Sequence, residues 1–230
     1  MARVLLIEDD VSVARAIVLG LQRLGHHIRH ELDGMADTDV LLSDCDVVVL
    51  DVGLPGDDGF AVCRRIRAAG STPVVMLTAR SDDIDTVVGL ESGADDYVVK
   101  PISPRVLDAR IKAVLRRTAA PPREDGGDDI TIGDVVIDRG ALEVRKSGVA
   151  LSLSPTEMRL VLTLTDNIGR VLSREQLLEA VWDHGYLGDS RLVDTAIQRL
   201  RAKIEDDASN PILIETVRGF GYRLTRNSSR

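Results

Sequence analysis

Short apolar runs alternate with helical periods along the first half of the chain. Val4-Leu-Leu-Ile7, Val47-Val-Val-Leu50 and Val74-Val-Met-Leu77 are rich in β-branched residues, and each gives way to polar or Gly/Pro residues. Runs of this kind read as strands buried on both faces. Between them Val13, Ile17, Leu21 and Leu24 recur at spacings of 4, 4 and 3; Phe60 to Ile66 forms a second helical stretch and Val87 to Leu90 a third. Leu107, Ile111, Val114 and Leu115 mark a last helix closing on Arg116-Arg117, whose charges suit a helix C-terminus. The alternation predicts an α/β fold, a parallel sheet with helices on both sides. Asp33, Asp37, Asp39, Asp44 and Asp46 interrupt the pattern, so a short or irregular second helix is expected over residues 33–46.

The second half changes period. Ile130-Thr-Ile132, Val135-Val-Ile137, Leu142-Glu-Val144 and Val149-Ala-Leu151-Ser-Leu153, punctuated by Gly133, Gly140 and Gly148, predict a small antiparallel sheet. Ser154-Pro155-Thr156-Glu157 opens a helix with an N-cap, a proline in the first turn and a capping-box acid. Ser173-Arg174-Glu175-Gln176 repeats the device ahead of Leu177, Leu178, Val181 and Trp182, and a third helix runs from about Ser190 to Asp206. On that helix Val193, Ile197, Leu200 and Ile204 form a buried stripe, leaving Arg191, Thr195, Gln198, Arg199 and Ala202 opposite it. Ile212–Val217 and Tyr222–Leu224 read as a hairpin with a Gly-flanked tip at Arg218-Gly219-Phe220-Gly221.

Composition places the chain among globular proteins: 230 residues, 44% hydrophobic and 29% charged, with aromatics at 3% so that the core is aliphatic. Cys45 and Cys63 are too few for a disulfide framework or a four-thiolate zinc site, and their apolar neighbours mark them as ordinary buried thiols. Met1-Ala2-Arg3 precedes just four apolar residues before Glu8, and no apolar run approaches the roughly 18 residues a membrane helix needs. The expectation is a cytoplasmic protein that does not contact a membrane. The net charge of -8 is unevenly spread. Residues 118–129, with two prolines, two glycines and no large apolar residue, read as a linker. It separates an acidic domain, 1–117 at -5, from a neutral one, 130–230, whose segment 190–230 carries +3.

In an open parallel sheet the ligand site lies outside the carboxyl ends of the strands. Those ends are Glu8-Asp9-Asp10, Asp51, Thr78 and Lys100-Pro101, the last after Tyr97-Val98-Val99. Converging carboxylates repel one another unless a hard divalent cation sits among them, and Mg²⁺ takes carboxylates, a carbonyl and waters. A single Asp after a strand is commonly a turn or cap residue. Four such pieces at the same end of four strands point to a site.

This set resembles the receiver domain of bacterial two-component response regulators over residues 3–117, and the doubly wound five-stranded, flavodoxin-like topology comes with the resemblance. Residue by residue, the resemblance implies that Asp51 in Val49-Leu50-Asp51-Val52-Gly53-Leu54-Pro55-Gly56 is the phosphoacceptor. Glu8, Asp9 and Asp51 would hold Mg²⁺ with the Gly53 carbonyl; Thr78 and Tyr97 would be the switch pair and Lys100 the phosphate clamp before a cis Pro101. Asp10 has no assigned contact. The residue types suit the chemistry: a carboxylate is a poor nucleophile, and Mg²⁺ with Lys⁺ offsets charge on a loose phosphoryl transition state.

Residues 130–226 resemble the α+β winged-helix effector of the OmpR/PhoB subfamily, with Thr216-Val-Arg-Gly-Phe-Gly-Tyr-Arg223 the most specific signature. The resemblance puts the third helix in the DNA major groove. Arg191, Arg201 and Lys203 would meet phosphates, Thr195, Gln198 and Arg199 base edges, and Arg218 the adjacent minor groove. It also implies a sensor histidine kinase as phosphodonor and a homodimer formed by residues 84–97 and 104–117. Val87, Leu90 and Ala109 would form its apolar patch, with Asp95 or Asp96 pairing with Arg110 or Arg117. The loop 182–190 matches one that relatives use on RNA polymerase. An aspartyl-phosphate phosphatase needs a second acid two residues after the nucleophile, where this chain has Gly53, and a flavin module needs a phosphate loop where it has three acids. The remaining rival is a regulator of the same fold that binds DNA without phosphate. The expected protein is a phosphorylation-controlled transcription regulator, not an enzyme.

Overall fold

The computed structural model describes residues 1–55, 58–78, 92–118, 129–182 and 190–226, the side chains of 117 and 118 excepted. Two compact units divide the chain, Met1–Thr118 and Ala119–Arg230. The helix expected over Val87–Leu90, most of the linker and most of the loop 182–190 lie outside the described residues.

In the first unit β1 (Arg3–Ile7), β2 (His27–Glu31), β3 (Val47–Asp51), β4 (Val74–Thr78) and β5 (Asp96–Val99) form one parallel sheet in the order β2-β1-β3-β4-β5. Strand alternation splits the apolar runs between two cores. Val4, Leu6, Val47, Val49, Val75 and Leu77 pack against Ile17 and Leu21 of α1 (Val11–Arg23) and Leu107, Ile111 and Val114 of α4 (Pro104–Thr118). Leu5, Ile7, Val48, Leu50, Val74 and Met76 face Leu41 of α2 (Thr38–Leu42) and Val62, Cys63 and Ile66 of α3 (Gly59–Ala69). Each fully buried aliphatic side chain contributes about 1.5–3 kcal/mol, so the sheet's central strands hold the site rigidly. The parallel sheet expected from the pattern and the doubly wound order implied by the resemblance are present, and the aspartate-rich stretch does hold a short helix. Asp37 caps α2, accepting from the Asp39 amide at 2.9 Å, while Asp44 and Asp46 bind Arg3.

The second unit opens with an antiparallel sheet of β6 (Ile130–Ile132), β7 (Val135–Asp138), β8 (Glu143–Lys146) and β9 (Val149–Ala150). Three helices follow: α5 (Pro155–Asp166), α6 (Arg174–Trp182) and α7 (Arg191–Ile204), then the hairpin β10 (Ile214–Val217) and β11 (Gly221–Leu224). Both expected capping devices form. Ser154 and Glu157 close a capping box on α5, and the Ser173 amide donates to Gln176 Oε1 at 2.8 Å while Ser173 Oγ accepts from the Gln176 amide at 3.2 Å. Backbone bonds between Leu172 and Tyr222 fasten the hairpin to the segment before α6. That approach requires glycine at 221: φ is 144°, and a Cβ there would lie 2.0 Å from the Leu172 carbonyl oxygen. The fold of this unit is a winged helix.

Candidate functional site

Four of the five strands of the receiver-like sheet hand a polar residue to a cleft at its C-terminal edge. Glu8 follows β1, Asp51 ends β3, Thr78 ends β4 and Lys100 follows β5, and all of them, with Asp9, Asp10, Gly53 and Phe60, line the cleft. Glu8, Asp9 and Asp51 bring carboxylate oxygens within 4.8 Å of one another. Lys100 Nζ reaches into this cluster, 2.6 Å from Glu8 Oε2 and 3.0 Å from Asp51 Oδ1. The Lys100–Pro101 peptide is cis. Thr78 is buried at the strand end, and Tyr97 is buried on the α3 side of the sheet.

Burial raises the pKa of Glu8, and the neighbouring Asp51 adds to the effect against the lowering pull of Lys100. Burial alone would lower Lys100, but its bonds to Glu8 and Asp51 outweigh that and hold the ammonium above the ordinary lysine value. The donor set fits a hard divalent cation. It offers three carboxylates in reach of one point, and Glu8 Oε1 is buried with no hydrogen-bond partner among the described residues. A side chain at Gly53 would begin 3.5 Å from Asp51 Oδ2, so glycine leaves the space over that carboxylate open.

Asp10, named at the strand end without a contact, and His30, which the pattern did not mark, both act beside the acidic cluster. Asp10 caps α1, its carboxylate accepting from the Ser12 and Val13 amides at 2.8 and 3.1 Å, which turns it away from ligation. His30, on β2, sets its Nε2 2.8 Å from the Glu8 carbonyl oxygen and so steadies the backbone at the acidic cluster. No signal marked His30, because β2 itself escaped the pattern.

On the face expected to dimerise, Ala109 is exposed on α4, and Arg110 Nη1 stands 3.7 Å from Asp96 Oδ2 within the same chain. Both acids expected there are buried in the single chain: Asp96 is 0% exposed, and Asp95, 1% exposed, is bound to Arg67 and accepts from the Val74 amide at 3.0 Å. Val87, Leu90 and the Arg117 side chain lie outside the described residues.

In the second unit, Gln198 and Arg218 are exposed and line one cleft with Arg201, Asn210 and Thr216, between α7 and the hairpin. Arg191 is half-buried at the start of α7. Four of the expected DNA contacts are held within the chain. Arg201 is 4% exposed, its guanidinium donating to the Ile214 carbonyl at 3.0 Å and to Thr216 Oγ1 at 2.9 Å, which ties α7 to the hairpin and keeps it from phosphates. Lys203 donates to the Ser152 carbonyl and to Glu157, at 2.7 and 2.6 Å. Arg199 lies against the same Glu157, 3.6 Å away, with its side chain 11% exposed. Thr195 is buried and donates to the Arg191 carbonyl at 3.1 Å. One buried acid, Glu157, thus gathers two of the basic residues that the resemblance assigns to DNA.

The comparisons agree with both units. The family model of the response regulator receiver domain matches residues 4–112, and that of the C-terminal domain of transcriptional regulatory proteins matches 148–224. The transcriptional regulatory protein AfsQ1 of Streptomyces coelicolor is 56% identical over 225 residues, covering 97% of this chain and 98% of its own. CseB of the same organism, also a transcriptional regulatory protein, is 48% identical over 231 residues, covering 96% and 97%. Among solved structures, a C128D mutant of RitR superposes with a TM-score of 0.78 at 26% identity over 99% of this chain and 100% of that one. DrrB of Thermotoga maritima, described as an OmpR/PhoB homolog, is 37% identical over 98% of this chain and 99% of its own, with a TM-score of 0.48. With receiver and effector both matched and relatives aligned end to end, this chain belongs to the response regulators of the OmpR/PhoB type.

Proposed function

We propose that Asp51 accepts a phosphoryl group from a sensor histidine kinase, and that the phosphorylated receiver dimerises and promotes binding of the winged helix to promoter DNA. The observation that carries this reading is Lys100 Nζ lying between Glu8 and Asp51, at 2.6 and 3.0 Å, at the strand ends beside Thr78. A mobile phosphoryl group needs a nucleophile, a fixed cation and a donor of a hydrogen bond, and these three supply them. An Asp51 oxygen forms the new P–O bond as the P–N bond of a phosphohistidine breaks; the electron pair goes to the imidazole nitrogen. Glu8, Asp9, Asp51 and the Gly53 carbonyl would hold Mg²⁺, which when bound neutralises charge on the transferring oxygens. Lys100 leaves its carboxylate partners for a phosphoryl oxygen, and Thr78 donates to another, with Tyr97 following the threonine inward.

Arg191, Gln198 and Arg218 are the DNA contacts this reading retains, with α7 in the major groove. Ala109, Arg110, Asp95, Asp96, Val87, Leu90 and Arg117 are its dimer residues, and the loop 182–190 its surface for RNA polymerase. The test is to incubate the purified chain with a small phosphodonor, with and without Mg²⁺, reading acid-labile phosphate and oligomeric state. Stoichiometric, Mg²⁺-dependent uptake with dimer formation is expected; no uptake in either condition overturns the reading.

A further inference from the structure

Phe220 is a large aromatic side chain that the fold leaves in water. It is 71% exposed at the tip of the hairpin, in a chain whose aromatic residues make up 3% of the total. The tip is held in place from several sides. The Phe220 amide donates to the Val217 carbonyl at 2.9 Å, closing the turn, and Leu172 grips the next strand through Tyr222. Arg201 on α7 binds the first strand, at the Ile214 carbonyl and Thr216. Tyr222 OH donates to Asp194 Oδ1 of α7 at 2.6 Å, and Glu205, just past α7, accepts from the Leu213 and Ile214 amides at 3.0 and 2.8 Å. The hairpin is therefore fixed to the helix, and Phe220 is presented at a set position beside it.

Its surroundings name the partner. Arg218, two residues away, is exposed and enters no hydrogen bond or ion pair among the described residues, whereas Arg223 is neutralised by Glu215 at 2.6 Å. Arg218 and Gln198 of α7 line the same cleft, and the exposed ring follows that uncompensated charge by two residues in the turn that closes the hairpin. An element rigidly beside a helix that fills a major groove meets the backbone and the minor groove next along the duplex. What an apolar ring can bury there is the C–H face of deoxyribose, and phenylalanine is among the apolar residues that proteins press into minor grooves.

We propose that Phe220 packs against deoxyribose faces of the groove flanking α7, adding apolar contact to the charge contact of Arg218. This inference rests on the DNA-binding reading above. The apolar term sets it apart from a phosphate contact, since burying a ring releases no counterions. Covering the exposed part of a phenylalanine corresponds to about a ten-fold gain in affinity.

The experiment uses the full chain and a labelled duplex enriched from a random pool by the wild-type chain, titrated across a series of salt concentrations. Phe220→Ala is expected to bind about ten-fold more weakly with an unchanged salt slope, Phe220→Leu to recover most of the loss, and both to melt like wild type. Arg218→Ala should instead flatten the slope by about one unit. Wild-type affinity in Phe220→Ala, or a loss that also flattens the slope, overturns the inference while leaving the DNA reading intact. Unchanged DNA affinity with lost self-association, read by light scattering, assigns the ring to a second copy of the chain and overturns it equally. A wild-type chain that enriches no duplex from the pool overturns the DNA reading itself.

Discussion

Arg201 separates two accounts of the same residue, because a side chain that clamps the hairpin and one that touches phosphate fail in different ways. Replacing it by methionine keeps most of the stem's packing and removes the guanidinium. The bonds lost are those to the Ile214 carbonyl at 3.0 Å and Thr216 Oγ1 at 2.9 Å, along with a cation–π contact at 5.6 Å from the Tyr222 ring centre. Hydrogen bonds from a charged donor contribute about 1.5–3 kcal/mol, and the ring contact about 0.5–1. Against these stands the cost of burying the charge, which also lowers the Arg201 pKa and which methionine does not incur. The net loss expected is about 2 kcal/mol, left mainly by an unsatisfied Ile214 carbonyl. Trp182 makes the assay specific: it is the chain's single tryptophan, 2% exposed, and it lies in the second unit. Urea denaturation followed by its fluorescence reads that unit within the full chain. With a slope of about 1–3 kcal/mol per molar urea, the midpoint of Arg201→Met should fall by about 1 M. An unchanged midpoint, together with weaker binding to all DNA sequences and a flatter salt slope, would refute the clamp and restore the phosphate contact.

Three further outcomes follow from the receiver unit. Gly53→Met should slow loss of the aspartyl phosphate after the donor is removed, because the new side chain begins 3.5 Å from Asp51 Oδ2 and shields it from water; equal or faster decay counts against that. Arg110→Glu should weaken phosphorylation-dependent dimerisation by reversing a charge on the expected interface, by about 1 kcal/mol for a partly exposed arginine; unchanged dimerisation places the interface elsewhere. Asp108 is buried, which by itself would raise its pKa, but His26 at 2.7 Å and Lys112 at 2.9 Å hold it below the ordinary 3.8. Its contribution is therefore full above that value and lost as pH falls through the lower folded value. Asp108→Asn should be less stable than wild type at pH 7, with the gap closing below about pH 4; a gap that persists in acid would point to packing alone.

The cleft was legible because its residues are tied to strand ends, and apolar strand runs are the strongest local signal in this chain. Glu8, Asp51, Thr78 and Lys100 fall at one edge of the sheet once Val4–Ile7, Val47–Leu50, Val74–Leu77 and Tyr97–Val99 are seen as strands. β2 was missed since His27-Ile-Arg-His-Glu31 is an edge strand with one apolar residue, and His30 was missed with it. On α7 the apolar stripe is as expected, with Val193, Ile197, Leu200 and Ile204 buried. The outward face was read less well. A helical wheel gives the direction of a Cβ, and a long basic side chain then goes where an acceptor waits. For Arg201 that acceptor is a backbone carbonyl of β10, and for Arg199 and Lys203 it is Glu157 of α5; none of these is visible before the chain folds. Asp95 illustrates the same gap in the receiver, since its partner Arg67 is 28 residues away on α3.

In the proposed function, phosphate on Asp51 governs how the winged helix meets DNA. The direct measurement is the affinity of the full chain for a duplex it has enriched, before and after treatment with a phosphodonor and Mg²⁺, in wild type and Asp51→Asn. Tighter binding after treatment in wild type, with Asp51→Asn taking up no phosphate and showing no change, is the predicted result. Equal affinity before and after full phosphorylation of the wild type, or an equal gain in Asp51→Asn, would contradict it.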